Sequence, residues 1–173
     1  MQKLKLPNKI NPSRCASREA VYEAVIEKEQ LERLDASSQG IQSDVSVKLT
    51  FEVGQSRRPL IRVDANTQVM LQCQRCGGSF SHPIEIADGC YQVVRDLSQE
   101  LPEGYEPVET DEDGELDIFQ LIEDELILLL PLSPMHDDAD CPMADASMSW
   151  GEIAEEEERP NPFSVLERLK RNN

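Results

Sequence analysis

Three of the five cysteines and one of the two histidines have the types and spacing for metal chemistry. Cys73-Gln-Arg-Cys76 is followed at once by Gly77-Gly78. Two thiolates in a Cys-x-x-Cys can bind one ion, and the glycines let the backbone turn around it; this is half of a tetrahedral zinc site. His136 and Cys141, spaced H-x4-C, would supply the other half and staple two distant segments together. Other readings stand beside this one. Cys73 continues an inward-facing alternation and would equally serve as a small buried core residue. His136 lies in an acidic loop, where a lone histidine is usually just solvated. A Cys-x-x-Cys is also the spacing of a redox pair, but that motif opens a helix in a βαβ setting, and this one lies between strands. Cys90, beside Tyr91, is expected in the core, and Cys15 is expected to be an incidental thiol.

Catalytic chemistry finds little support. Only His82 and His136 are available as imidazole bases, and neither G-x-x-x-x-G-K-[ST] nor G-x-G-x-x-G occurs. Glu123, Asp124 and Glu125 read as the solvated face of a helix. The expectation is a protein that is not an enzyme.

Charge is segregated along the 173 residues. The net charge is −17, yet residues 1–18 carry Lys3, Lys5, Lys9, Arg14 and Arg18 with no acid. Residues 96–158 hold 22 acids and no Lys or Arg, and Arg168, Lys170 and Arg171 make the end basic again. A chain this acidic repels nucleic acid at long range, because such binding is driven by phosphate neutralisation. Its acidic middle would attract a basic partner such as a ribosomal protein, with Asp111, Glu112, Asp113, Glu115, Glu123 and Asp124 as candidate contacts. The basic N-terminus could touch RNA or pair with the chain's own acids, and self-pairing is favoured. MQKLKLPNKI has no apolar run after its lysines, and the apolar block Leu126–Leu130 is too short to span a bilayer. A cytoplasmic location with reduced thiols is therefore expected.

The elements that must position these groups follow from periodicity. Asn11 and Pro12 predict a short helix over 11–18. Tyr22, Ala24 and Ile26 alternate as a strand, and 27–40 reads as a short polar helix ending near Gly40. Alternation over 44–53 and again from Ile61 to Cys73, then a third strand over 80–94, predicts an antiparallel meander with one wet and one buried face. Residues 96–115 read as an exposed acidic loop. Asp117 with Gln120 predicts a helix start, with an apolar stripe of Ile118, Leu121, Ile122, Leu126 and Leu129 ended by Pro131. The expected class is α+β: an antiparallel meander with a few peripheral helices and an acidic, partly disordered C-terminal third. A single domain spans 1–131, with its sheet over about 41–94 and its covering helix over about 117–130. An acidic linker over 132–160 and a C-terminal helix over 161–173, capped by Asn161, follow.

The opening MQKLKLP, the hairpin LQCQRCGGSF, the segment GELDIFQLIEDELILLLPLSPMH with Cys141 beyond it, and the ending RPNPFSVLERLKR together resemble the YceD family. The resemblance runs from residue 1 to 171. Its paired signature is Leu71-x-Cys73-x-Arg75-Cys76 and then Asp117-x5-Glu123-x-Glu125-x-x-Leu128-x-x-Pro131. It implies a bacterial cytoplasmic protein needed for synthesis, processing or stability of 23S rRNA, without catalytic activity. Many relatives carry cysteine where His136 stands and a further Cys-x-x-Cys that is missing here; those fuller sets look metal-binding, and here only Cys73, Cys76, His136 and Cys141 remain, a Cys3His set that is an acceptable structural zinc site. Two modes of action are expected to compete. One is an assembly factor acting through protein contacts. The alternative is a direct rRNA-binding module using Lys3, Lys5, Arg14, Arg18, Arg57, Arg58 and Arg75.

Overall fold

The period-two segments become strands, and the sheet they build carries the cysteine hairpin at its far end. The computed structural model describes residues 6–54 and 57–144. Along the chain, β1 (Lys9–Ile10) leads into α1 (Pro12–Ala16) and β2 (Val21–Ile26). A 3-10 turn (Lys28–Gln30) and α2 (Glu32–Ser37) precede β3 (Val45–Val53), β4 (Pro59–Gln72) and β5 (Ser79–Val94). Then come β6 (Glu106–Glu109), β7 (Leu116–Asp117) and α3 (Ile118–Leu128). The main sheet has the order β2-β3-β4-β5-β6, and β1 pairs with β7 in a separate ribbon. The α+β class and the β3-β4-β5 meander are as expected.

Alternation divides the faces. Val45, Val47, Leu49, Phe51, Ile61, Val63, Val69, Ile84 and Ile86 are buried on one face. Ser46, Lys48, Asp64, Asn66 and Gln68 stand on the other, which is wet. The buried face is covered by Ala16 of α1, Leu31 and Leu34 around the start of α2, and Ile118, Ile122 and Leu126 of α3. The helix starts are as read: Asn11 Oδ1 accepts from the Arg14 amide at 3.0 Å, and Asp117 Oδ1 from the Gln120 amide at 3.0 Å.

Several expectations are corrected. The 27–40 helix is shorter and not polar: it divides into the 3-10 turn and α2, and Leu31 and Leu34 are fully buried. Residues 96–115 are not all loop. Glu106–Glu109 adds to the end of β5 in parallel, with Tyr91 opposite Glu106 and Val94 opposite Glu109, so the sheet is mixed. Four residues are too few to show a period, and their pairing is made by the backbone. β2 also joins the sheet, which therefore begins well before residue 41. Leu129 lies outside the buried stripe of α3 and is 45% exposed. Cys90 is not core: it points to the wet face, where Arg62 Nη1 reaches its Sγ at 3.1 Å. Alternation explains this, because Tyr91 takes the inward position.

The β4–β5 hairpin is long, and its register shifts between Val63 and Ala65. A bulge there holds Asp88 at φ 51°, with its amide donating to Asp64 Oδ1 at 3.0 Å. Gly89 is required beside it, since a Cβ would lie 2.9 Å from both Ile86 Cγ2 and Tyr91 Oη. Beyond the bulge the hairpin outruns β3 and is flanked by residues 39–42: Gln39 and Gln42 amides donate to Met70 and Gln68 carbonyls, each at 2.8 Å. This extension carries Cys73 and Cys76. The C-terminal helix over 161–173, most of the linker and Lys3 and Lys5 lie outside the described residues. No helix among the described residues is long and apolar enough to cross a membrane.

Candidate metal centre

The tip between β4 and β5 is a tight knuckle. The Cys73 amide donates to the Gly78 carbonyl and the Gly77 amide to the Cys73 carbonyl, both at 2.8 Å. Gly77 sits at φ 75°, a conformation that favours glycine. The Gly78 amide points at Cys76 Sγ, 3.4 Å away. Residues 131–141, following α3, lie against this knuckle. The Gln74 amide donates to the Pro134 carbonyl at 2.9 Å, and Gln74 Nε2 to the Leu132 carbonyl at 3.3 Å.

That docking brings four ligand atoms together. One atom each from Cys73, Cys76, His136 and Cys141 lies within 4.8 Å of every other. His136 Nδ1 is 3.4 Å from Cys76 Sγ, and the imidazole packs against Phe80 with ring centroids 4.8 Å apart. Cys73 and Cys141 are buried, while Cys76 is half-buried. A tetrahedral zinc with Zn–S of about 2.3 Å separates its sulfurs by about 3.8 Å. The four atoms therefore need only a small contraction to close on one ion, and the Cys3His donor set fits zinc. No carboxylate belongs to this group.

The surroundings favour thiolate at Cys73. Burial pushes the Cys73 thiol up, but the backbone amides of His136, Cys76 and Arg75, with the Cys76 side chain, outweigh it and bring Cys73 down to about 6. At Cys76 the Gly78 amide pulls downward, yet burial and the neighbouring thiols of Cys73 and Cys141 raise it overall. Arg75 Nη1 holds Asp138 Oδ1 at 2.7 Å, and Asp138, with Cys141 nearby, raises the guanidinium. A zinc with three thiolates carries a net negative charge, and Arg75 is placed to offset it. The roles of Phe80 and Arg75 are not legible in spacing, because both depend on where residues 131–141 return to the hairpin.

The other candidate residues separate. β4 runs 14 residues from the Arg57-Arg58 turn to the knuckle, about 45 Å at roughly 3.3 Å per residue. Arg75 thus stands at the opposite end of the sheet from Arg57 and Arg58, and it is already engaged by Asp138. Arg58 donates to Gln99 Oε1 at 2.6 Å. Arg14, Arg18 and Arg57 are exposed and have no ion pair among the described residues.

Of the acidic candidates, only Glu112 and Asp113 are exposed and without a cation among the described residues. Asp111 Oδ2 takes Lys9 Nζ at 2.8 Å, one ion pair between the basic N-terminus and the acidic middle. Its Oδ1 accepts the amides of Asp113 and Glu115. Asp124 pairs with Arg33. Glu123 corrects the reading of a solvated face. It is 7% exposed, and its Oε1 accepts the Arg33 amide at 2.8 Å and the Leu34 amide at 3.1 Å. The N-cap position of α2 is Leu31, which has no capping oxygen, so α3 supplies one. Glu125 and Glu106 meet beside Tyr91, and burial, then the Glu106 charge, raises the Glu125 carboxyl.

A model of the family described as large ribosomal RNA subunit accumulation protein YceD matches residues 61–170. The protein of that name from Haemophilus influenzae is 39% identical over 173 residues, covering 98% of this chain and 99% of its own length. No solved structure matches. The knuckle, α3 and the loop carrying His136 and Cys141 all fall inside the matched region, and the chain belongs to the YceD family.

Proposed function

We propose that this protein is a non-enzymatic accessory factor for accumulation of the large ribosomal RNA subunit, acting through protein contacts and built around a structural zinc. Family membership supports the ribosomal assignment. The observation that carries the finer reading is the convergence of Cys73, Cys76, His136 and Cys141 within 4.8 Å. Four protein donors complete a tetrahedral shell and leave no open position for water or substrate, as in structural rather than catalytic zinc sites. Bound there, zinc would supply a cross-link between the hairpin tip and the loop after α3. The chain's own contribution is to hold the donors, point amides at the sulfurs and balance charge with Arg75.

Protein contacts are favoured by the 22 acids and absent basic residues of 96–158, a surface that attracts basic proteins and repels phosphate. Glu109, Asp111, Glu115, Asp117 and Asp124 line one cavity of about 350 Å³ beside Lys9. Metal analysis of protein purified without chelator should find one zinc per chain; a value well below one sinks the zinc assignment. Affinity purification from cells at low salt and at roughly 0.3–0.5 M, where screening becomes short-ranged, should recover large-subunit components that the higher salt depletes. Recovery of none under either condition overturns the protein-contact reading.

Arg14, Arg18 and Arg57, without an ion pair among the described residues, favour a second reading, direct contact with rRNA, now without Arg75 as part of the same patch. Each neutralised phosphate steepens the dependence of log K on log salt by about 0.7 on a single strand. A flat slope for rRNA fragments, or no binding at low salt, rules this reading out.

A further inference from the structure

Large apolar side chains are exposed in one stretch of the protein more than elsewhere. Leu128 is 77% exposed, Leu129 45%, Leu132 98%, Met135 47% and Met143 46%, all between residues 128 and 143. Scattered exposed leucines need no explanation, but a run of them on one short segment marks an interaction surface. The backbone beneath them is fixed. α3 is anchored in the core by Ile122 and Leu126. Gln74 holds the Leu132 and Pro134 carbonyls, Arg75 holds Asp138, and His136 and Cys141 join the cysteine cluster. An apolar patch on a pre-ordered backbone loses little entropy when it binds.

Its rim is acidic. Asp137 and Asp140 are exposed around it, Asp138 is held by Arg75, and the sequence has no Lys or Arg anywhere in 96–158. An apolar centre with a charged rim is the anatomy of a protein interface. The rim selects the occupant. Phosphate is repelled, and residues 128–143 contain no Phe, Tyr or Trp for base stacking. A second copy of this chain would bring carboxylates against carboxylates on molecules of charge −17 each.

We infer that the end of α3 and the zinc-stapled loop form a docking surface for a basic polypeptide segment. Leu132 and Met135 pack into its apolar side chains, and Asp137 and Asp140 meet its cations. The inference rests on the protein-contact reading above and adds where the contact is made and why the metal is needed: the zinc displays the leucine and methionine side chains.

The test uses the full-length, zinc-loaded protein with two probes: proteins extracted from large ribosomal subunits, and naked 23S rRNA. Three forms are compared: wild type, the double variant Leu132→Asp with Met135→Asp, and Val53→Asp. Val53 is 57% exposed at the other end of the sheet and serves as a control. All three should keep their circular dichroism and zinc content, since the altered side chains are exposed. Wild type and Val53→Asp should retain the same basic protein or proteins, identified by mass spectrometry. The double variant should bind about tenfold or more weakly, as when interface anchors are lost. Equal binding by the double variant overturns the docking surface and leaves the protein-contact reading intact. Retention of no protein by any form overturns both, and retention of naked rRNA instead does the same. A photo-crosslinker at position 132 that reacts chiefly within residues 161–173 of the same chain also overturns the inference, because the occupant would then be the protein's own tail.

Discussion

The acidic segments on either side of α3, 96–115 and 131–141, both lack Lys and Arg but have different anchors. The first is held by many separate contacts. β6 pairs with β5 through the backbone, Glu109 accepts the Leu97 amide at 3.1 Å, and Asp111 takes two amides and Lys9. Losing any one leaves the rest. The second is held by Gln74, by the Arg75–Asp138 pair and chiefly by a cluster in which two of four donors come from the loop itself. A coordination shell is cooperative: it forms with all its ligands or fails. One segment should therefore loosen gradually, and the other should switch with metal.

The largest expected effect follows directly. Removing metal with a chelator, or Cys141→Ser, should lower Tm by about 10 °C or more and open 131–144 to proteolysis. Residues 96–115 should stay protected. Equal cleavage of both segments would erase the contrast between them.

Glu123→Ala should come next, costing about 1–3 kcal/mol by leaving two α2 amides without an acceptor; Glu123→Gln should cost less. Denaturant unfolding of the three forms measures this. Because Glu123 joins α3 to α2 rather than to either acidic segment, zinc content should not change. Loss of zinc in Glu123→Ala would mean that α3 itself positions the loop ligands.

A pH effect sharpens the account of the first segment. The Glu125 carboxyl is raised by burial and by Glu106 on β6. A group raised in the folded state contributes stability that is full below its unfolded pKa and is lost as pH rises through the folded value. The β5–β6–α3 junction should thus tighten as pH falls from neutral toward the usual carboxylate range. Glu125→Gln should raise Tm at pH 7 and flatten that dependence. An unchanged pH profile would remove Glu125 from the anchoring of β6.

The smallest effect is expected at Lys9→Ala. The Lys9 side chain is 54% exposed, and exposed ion pairs contribute little. The hydrogen bond from Lys9 is the main cause holding the Asp111 carboxyl below its usual range. NMR titration should show it moving up in the variant with Tm nearly unchanged. A large fall in Tm would mean that the β1–β7 ribbon depends on this one pair.

Much of this was determined by local sequence. Period-two alternation marks β3, β4 and β5 because a half-buried strand must place apolar groups on every second residue. Asn11 and Asp117 mark helix starts because a free amide needs a nearby oxygen. Cys73-x-x-Cys76-Gly-Gly marks a knuckle because two thiolates on one turn can share an ion. The family follows from matching segments along nearly the whole chain.

Tertiary structure alone decided the rest, in each case because the partner is remote in sequence. Glu123 looks like any helical surface acid until the α2 amides, 89 and 90 residues away, are seen to need it. β6 is invisible because its pairing is made by backbone groups that every residue has. Arg57 and Arg58 look like companions of Arg75 until β4 is drawn out at full length between them. Cys73 alone fits a core thiol or a metal ligand, and its place between strands argues against a redox pair. A cluster that could hold a metal appears only when the chain returns after α3 and sets His136 and Cys141 beside it, because four donors around one point are a property of position in space.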